Sequence, residues 1–344
     1  MGFAKVRSTV VRHLSGPLCS LSFLALAIAS AVAVSGCGHS SEQAKTERIV
    51  VASLDYPLSG LLFLAEDDGL FKKHGLDVAV TYVPSGKQGI DAVLENKAQI
   101  TLAAETATTM SILHGKKIVV MGSLGEAVGD FSVFGRIDHG IRKPEDLLGK
   151  SIAVELGTGG EYLLDALLAD HHIDRSKVTI VPTSADKIAE LLYAGKVDAA
   201  SGWHPFLLQW KQHLGTNGVT FTDPGYYALT WCVVAPQEYV ASHGEALARF
   251  FRALVEAERH FRAEPDVMRK LLVNRHILSD DVYDRNIFRF DLRFDQSIPI
   301  NMEGLAKWAM MRGKVPQQRI PNFLKFFEPG PLKAAKPNAV TILY

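Results

Sequence analysis

The chain has 344 residues, of which 47% are apolar, and its 37 basic residues balance 37 acidic ones. This balance argues against a nucleic-acid ligand and against a polybasic surface for membranes. Three cysteines are too few for a disulfide framework, so the fold must depend on hydrophobic cores, in two ordinary domains or one large one.

The first 36 residues have the pattern of a secretory signal peptide. Three basic residues precede an apolar run over 18–34 that is too short for a stable membrane span. The sequence Val34-Ser35-Gly36-Cys37 resembles the lipobox of bacterial lipoproteins, which implies that Cys37 is lipidated and starts a polar tether over 37–47. The alternative is an ordinary signal peptide with a chance cysteine. We expect an exported protein, periplasmic or on the outer face of the cell membrane, anchored at Cys37.

The mature chain then alternates short apolar strands with amphipathic helices. This alternation is typical of a doubly wound α/β fold. The first set of predicted elements is strand 49–53, helix 60–67, strand 76–82, helix 88–95, strand 100–103, helix 106–114 and strand 118–122.

A second set of the same kind begins at residue 131. It consists of strand 131–136, a short helix at 143–147, strand 151–155, helix 161–171, strand 178–181, helix 185–194, strand 199–201, helix 206–213 and a closing strand 227–235. From about residue 243 the pattern predicts helices alone, over 245–263, 265–274, 280–287 and 304–311.

Two α/β sets, a long returning strand and C-terminal helices predict a two-lobed α/β protein. We assign lobe 1 to residues 48–130 plus 233–344, with the C-terminal helices on it, and lobe 2 to residues 131–232. Two doubly wound sheets are then joined by a two-strand hinge. The cleft between the lobes is the expected ligand site.

Segments spread over nearly the whole mature chain carry a family resemblance. They are GLFKKHGLDV (69–78), DLLGKSIAV (146–154), GKVDA (195–199) followed by WHP (203–205), and KPNAVT (336–341). They are similar to segments of the binding proteins of ABC importers for sulfonates, nitrate, taurine and thiamine precursors, the SsuA/THI5-like family. The resemblance implies a periplasmic-binding-protein type II fold, which delivers a small-molecule solute to ABC permease and ATPase subunits.

Ligands of open α/β sheets bind beyond the carboxyl ends of the strands, which selects four segments here. The first contains Tyr56, which can stack on a solute, and Ser59, which can cap the next helix, although this segment also suits a plain turn. The second contains Glu105 and Thr106. A carboxylate there favours a cationic or hydroxylated solute, and the alternative is an acid that interacts with the helix dipole.

The third segment contains Thr158, Gly159 and Gly160 at the start of a helix. Backbone N–H groups at a helix N-terminus can bind an anion, and members of the family bind sulfonate, nitrate or phosphate groups at this place. A capping box between Thr158 and Glu161 is the alternative interpretation, because these residues are three apart.

The fourth segment contains Trp203 and His204. Trp203 can close over a solute or pack between the lobes, and the imidazole of His204 can donate to an oxyanion where the family often has an acid. Trp231 and Cys232 lie in an apolar run and are predicted to be core residues.

Three functions stay open at this point, and the first is favoured: solute binding without chemistry, ligand sensing for a membrane receptor, and an enzyme on the same bilobal fold. The sequence contains no nucleophile elbow, phosphate loop or zinc motif. We therefore expect a monomeric binding protein without a cofactor, a metal or a nucleic-acid partner. The solute can be an anion, an amine or a heteroaromatic compound.

Overall fold

The computed structural model describes residues 46–222, 225, 227–280, 282–284, 286–316 and 319–343. The predicted signal peptide over 1–36, the lipidation residue Cys37 and all but the last two residues of the tether over 37–47 lie outside this part of the chain. Within it, no helix combines the length and the apolar content that crossing a membrane requires.

Strands occur along most of the described chain. They are β1 (Glu47–Ser53), β2 (Leu76–Tyr82), β3 (Ile100–Ala104), β4 (Ile118–Val128), β5 (Ser132–Arg136), β6 (Ser151–Val154), β7 (Thr179–Pro182), β8 (Ala199–Gly202), β9 (Gly218–Phe221), β10 (Ala228–Pro236) and β11 (Phe288–Arg293). β3 and β5 are buried at every position, as expected for strands that are covered on both faces.

Helices follow the strands and pack on the sheets. They are α1 (Gly60–Asp67), α2 (Leu70–Lys73), α3 (Gly86–Leu94), α4 (Glu105–Leu113), α5 (Gly159–Asp170), α6 (Ala185–Tyr193), α7 (Phe206–Leu214), α8 (Gln237–Ser242), α9 (Gly244–Ala263), α10 (Asp266–Asn274), α11 (Ser297–Met311) and α12 (Gly330–Ala335). The C-terminal helices contact the first part of the chain, with α9 on α1 and α2 and with α11 on α4.

The described strands form two sheets. One has the order β11-β4-β10-β3-β1-β2 and the other has the order β7-β6-β8-β5-β9. β1 runs parallel to β2 and β3, whereas β10 runs antiparallel to β3 and β4. The chain passes between the sheets twice, from β4 to β5 and from β9 to β10. Two sheets joined by two crossings confirm the predicted two-lobed α/β architecture.

Two predictions for the second half of the chain are wrong. The strand predicted to close the second set is β10, and it lies inside the six-stranded sheet because both of its edges pair there. The described residues of the predicted helix 280–287 form turns and irregular backbone, and β11 follows them. Phe288, Phe290 and Leu292 are buried and alternate with more exposed residues, which is the period of a strand rather than of a helix.

Short connections at the carboxyl ends of the strands lead directly into helices. β3 passes into α4 without an intervening residue, and β6 is joined to α5 by the loop over 155–158. Ser85 precedes α3, and its hydroxyl accepts the N–H of Gln88 at 3.4 Å. The starts of α3, α4 and α5 line one cavity between the sheets. The first N–H groups of each helix have no partner within the helix, so they are available to other acceptors.

Candidate ligand-binding cleft

The cavity between the sheets has a volume of about 20 Å³, which is the space of about one water molecule. The side of the six-stranded sheet contributes Leu54, Tyr56, Ser85, Gly86, Ala104, Ala107, Leu229 and Trp231, and the side of the five-stranded sheet contributes Phe131, Thr158, Gly159 and Trp203. A solute larger than water can enter this place only when the two sheets move apart.

Four of the residues predicted to bind a solute line this cavity, namely Tyr56, Thr158, Gly159 and Trp203. The other five are joined to lining residues by the chain or by one hydrogen bond, namely Ser59, Glu105, Thr106, Gly160 and His204. The carboxyl-end rule therefore brings all four segments to one place in the fold.

Aromatic rings from both sides face the cavity. The rings of Tyr56 and Trp231 have centroids 4.7 Å apart and are tilted by 47°. The rings of Phe131 and Trp203 have centroids 5.4 Å apart and are tilted by 42°. Trp231 is buried, as predicted, but it also lines the cavity. Each lobe thus contributes one pair of rings.

Ser59 holds the Trp231 ring in place. Its hydroxyl oxygen accepts the indole N–H of Trp231 at 3.2 Å and lies 3.0 Å from the hydroxyl of Ser53, which donates to it. The predicted helix cap by Ser59 is wrong, because its side chain forms no capping hydrogen bond with α1. The hydroxyl is already engaged by these two donors.

Asp130 connects residues of both lobes. Its carboxylate accepts the hydroxyl of Tyr56 at 2.6 Å and lies 2.9 Å from Nδ1 of His204. Asp130 is 1% exposed and stands at the crossing from β4 to β5. Burial and then the charge of Asp130 raise the pKa of Tyr56 well above its usual value, so this hydroxyl keeps its proton. The contact therefore holds the two sides of the cleft together.

Glu105 lies at the start of α4, beside the cavity wall. One of its oxygens accepts the N–H of Thr230 at 2.7 Å, and the other has no hydrogen-bond partner among the described residues. Burial raises the pKa of this carboxyl to about 8, so it is mostly protonated at pH 7. Its attraction for a cationic solute is correspondingly weak. The adjacent Thr106 forms a short hydrogen bond with the hydroxyl of Tyr227.

The loop before α5 does not form a capping box between Thr158 and Glu161, which was the alternative interpretation of the sequence. The hydroxyl of Thr158 donates to the carbonyl of Glu155 at 2.7 Å, and Glu161 accepts the N–H of Gly157 at 2.9 Å. Glu161 turns away because it also pairs with Arg175, at 2.8 Å. The N–H groups of Gly159 and Gly160, the first two of α5, have no partner within the helix.

Glu155 forms a second contact between the lobes. One carboxylate oxygen accepts the hydroxyl of Ser85 at 3.0 Å, and the other is buried without a hydrogen-bond partner in the described chain. Burial raises the pKa of Glu155 above its usual value, and the hydrogen bond from Ser85 opposes part of this effect. The pair lies at the starts of α3 and α5, where the two lobes approach each other.

Two larger clefts adjoin the cavity, and their charges differ. The basic cleft, of about 390 Å³, shares Ala107 with the cavity, and its charged and titratable lining residues are Lys87, Asp91, His114, Lys116 and Lys314. The acidic cleft, of about 320 Å³, shares Leu54 and Trp203 with the cavity and is also lined by Asp55, Tyr82, Asp186 and Phe206. An anion is favoured on the first side and a cation on the second.

A cluster of ion pairs joins α5 to the end of α11, and we call it the α5–α11 ion cluster. Asp165 accepts the indole N–H of Trp308 at 2.8 Å and pairs with Arg312 at 2.9 Å. Its other members are Glu161, Arg175 and Lys314, with Arg175 contacting both carboxylates and Lys314 contacting Glu161. Glu161 and Asp165 are 0% and 2% exposed, so the cluster holds two buried carboxylates between the lobes.

Sequence reasoning missed Asp130, Ser85, Phe131 and Glu155. Ser85 and Glu155 follow β2 and β6, so the carboxyl-end rule already contained the signal for both. Asp130 and Phe131 stand at a crossing between sheets. The predicted lobe boundary between residues 130 and 131 had located this crossing, but the four segments chosen for the site did not include it.

Comparison with known proteins identifies the family. Residues 57–267, more than half of the chain, match the family model described as NMT1/THI5 like. The chain belongs to the NMT1/THI5-like family. The resemblance of the sequence segments to this family is therefore confirmed.

Named relatives are binding proteins. A protein of Brucella abortus (strain 2308) named as a binding protein is 26% identical over 218 residues, which are 62% of this chain and 66% of that protein. The match thus spans slightly less than two thirds of that relative's length. The taurine-binding periplasmic protein of Escherichia coli (strain K12) is 31% identical over 136 residues, which are 38% of this chain and 41% of that protein.

Solved structures share the fold. The alkanesulfonate-binding protein SsuA from Xanthomonas axonopodis pv. citri, bound to MOPS, has a TM-score of 0.69 at 16% identity and covers 87% of this chain and 100% of that one. The desulfurization enzyme DSZB has a TM-score of 0.60 at 18% identity, with coverage of 85% and 100%. These identities establish the fold alone, and they confirm the predicted periplasmic-binding-protein type II fold.

Proposed function

We propose that this chain is the solute-binding subunit of an ABC importer and captures a small polar or anionic organic solute between its two lobes. The observation that carries the proposal is the cavity that both lobes line at the N-termini of α3, α4 and α5. Helix N-termini attract anionic and polar groups through their free N–H groups and dipoles. The names of the relatives, among them a taurine-binding protein, support the same class of function.

Capture follows from the contacts between the lobes. The lobe of the six-stranded sheet, which includes all of β10, and the lobe of the five-stranded sheet rotate about the two crossings and expose the cavity to solvent. Closure forms the hydrogen bonds of Asp130 and Glu155 again and removes the solute from water. A solute that binds only the closed form shifts the population towards it, and the ABC permease and ATPase receive that form.

The proposed location is outside the cytoplasmic membrane. The signal peptide directs export, and a lipid on Cys37 holds the monomer at the membrane surface close to the permease. A tether over 37–47 leaves both lobes free to open and close. The lipid anchor and the delivery step rest on the sequence motif and on the family, respectively.

Catalysis on the same fold is the alternative, because the enzyme DSZB shares the architecture. The chemistry of Cys232 argues against a thiol nucleophile. This cysteine is fully buried in β10, and burial raises the pKa of its thiol well above the usual value. A nucleophilic cysteine needs the thiolate, which burial disfavours. Binding without turnover is therefore the proposed function.

A thermal-shift screen of the exported protein tests this function. The panel contains sulfonates, nitrate, carboxylates, amino acids and pyrimidines, each at a concentration well above micromolar. A solute at 100 times its Kd stabilises the folded protein by about 2.7 kcal/mol and raises the Tm. Mass spectrometry of the bound solute should show it unchanged. A new product would establish an enzyme instead, and a panel without any shift would contradict solute capture.

A further inference from the structure

The walls of the cavity combine aromatic rings, small residues and a few polar groups, and this combination determines which solutes fit. Tyr56 and Trp231 form one pair of rings and Phe131 and Trp203 form the other, so each lobe presents two aromatic faces. When the lobes part, a gap opens between these pairs. A flat ring can occupy the gap and contact rings on both sides. The following inference rests on the proposed function of the same cavity.

Small residues line the cavity together with the two ring pairs. They are Gly86, Ala104, Ala107 and Gly159. A Cβ atom on Gly159 would lie 2.6 Å from the Tyr227 ring, and one on Gly86 would lie 2.9 Å from the Cβ atom of Ala103. Both distances are too short for a side chain, so only glycine allows the backbone to come this close. The resulting space between the ring pairs is narrow.

The polar groups stand at the edge of this space. Ser85 and Thr158 line it at the starts of α3 and α5, and the N–H groups that follow them are free of helical partners. None of the described residues that line the cavity is Lys or Arg. An acidic group must therefore be bound by backbone N–H groups and helix dipoles. The adjoining basic cleft favours an anion on this side.

We propose that the solute is a small planar aromatic acid, with its ring between the Tyr56–Trp231 and Phe131–Trp203 pairs and its acidic group on the N–H groups at the start of α5. A saturated ring of the same carbon number is thicker and has no π face. It loses both the fit and the ring–ring interaction.

Isothermal titration of the exported protein with matched sulfonates tests the planar ring. Benzenesulfonate and cyclohexanesulfonate carry the same acidic group and the same number of carbons, and methanesulfonate carries the acidic group alone. We expect benzenesulfonate to bind about tenfold more tightly than either of the others, since two aromatic contacts of ordinary strength give this ratio. Benzylamine, a planar cation, should bind more weakly than benzenesulfonate.

A pair of variants locates the selectivity in the cavity. Phe131→Leu removes a lining ring and should reduce the ratio of benzenesulfonate to cyclohexanesulfonate affinity to about threefold or less. Phe134→Leu is the matched control, because Phe134 is also buried in this lobe but packs on Trp210 away from the cavity. It should keep the wild-type ratio. Circular dichroism and the Tm establish that both variants are folded.

The outcomes separate this inference from the proposed function. Equal affinities for benzenesulfonate and cyclohexanesulfonate overturn the aromatic solute and leave solute capture intact. Tighter binding of benzylamine than of benzenesulfonate overturns the acidic group. If the whole thermal-shift panel and these sulfonates leave the protein unaffected, solute capture itself is wrong. An unchanged ratio in Phe131→Leu shows that the selectivity arises outside the ring pairs.

Discussion

The two lobes meet in two chemically different places, the ring-lined cavity and the α5–α11 ion cluster. In the cavity, aromatic rings and small residues surround a space of about 20 Å³. In the ion cluster, Glu161 and Asp165 are buried against three cationic side chains and one indole N–H. One contact is thus largely apolar and incompletely filled, whereas the other is charged and fully paired.

This difference implies different roles for the cavity and the ion cluster. Apolar contacts in the cavity can be exchanged for contacts with a solute, because the residues that line it carry no charge. Deleting a partner of the buried carboxylates in the cluster costs more, since an uncompensated buried charge is strongly unfavourable. Substitutions in the cavity should therefore change solute affinity, and substitutions in the cluster should change the stability of the protein.

The largest expected effect follows from removing the centre of the cluster. Asp165→Ala takes away the partner of Arg175, Arg312 and Trp308 and leaves buried donors unpaired. We expect the free energy of unfolding to fall by about 3–5 kcal/mol, measured by urea denaturation. Glu190→Ala, an exposed acid on α6, is the control and should change it by less than about 0.5 kcal/mol. Similar small effects in both variants would contradict a buried, paired cluster.

The next largest effect concerns Asp130, a buried carboxylate that contacts Tyr56 of the cavity wall. Asp130→Ala leaves the buried hydroxyl of Tyr56 without its acceptor, so we expect a loss of about 2–3 kcal/mol in urea denaturation. Tyr56→Phe removes one hydrogen bond to Asp130, whose contact with His204 remains. It should lower the free energy of unfolding by about 1 kcal/mol. A larger loss in Tyr56→Phe than in Asp130→Ala would show that Asp130 does not hold the cleft together.

The features that depend on local sequence pattern could be predicted from the sequence. The alternation of strands and helices predicted the two-lobed fold, and the carboxyl-end rule reached Tyr56, Thr158, Gly159 and Trp203. The ion cluster was out of reach, because Asp165 meets Trp308 only after the chain has returned to the first sheet and α11 has packed on α4.

Long-range pairing also explains the errors in the predicted elements. β10 follows the second set in the chain, yet it is stabilised by β3 and β4 of the first sheet. β11 contains six residues and one register irregularity, so its alternating pattern is short. Such a segment becomes a strand because it can pair with the free edge of β4. The residues of the segment alone do not show that this edge is available.

A pH dependence of stability is also expected, through Glu105. Its pKa is raised from 4.5 to about 8 by burial, so between these values the folded protein keeps a proton that the unfolded chain releases. Stability therefore falls as pH rises through this window, by up to about 1.4 kcal/mol per pH unit. Glu105→Gln mimics the protonated carboxyl, so the Tm of the wild type relative to this variant should fall from pH 5 to pH 8. Parallel Tm curves would show that Glu105 is ionised in the folded protein.

The smallest expected effect is that of salt on the ion cluster. Burial shields Glu161 and Asp165 from counterions, so the loss caused by Asp165→Ala should differ by less than about 0.5 kcal/mol between 0.05 and 0.5 M salt. The exposed pair of Lys73 and Glu256, at 2.6 Å, is the comparison, because Lys73 is 63% exposed. Glu256→Ala should lower the free energy of unfolding by less than Asp165→Ala does. This loss should become smaller still at high salt, because salt screens the exposed pair. If salt instead halves the loss in Asp165→Ala, water reaches the cluster. Its carboxylates would then be hydrated rather than buried. The contrast between a shielded ion cluster and an exchangeable apolar cavity would be wrong.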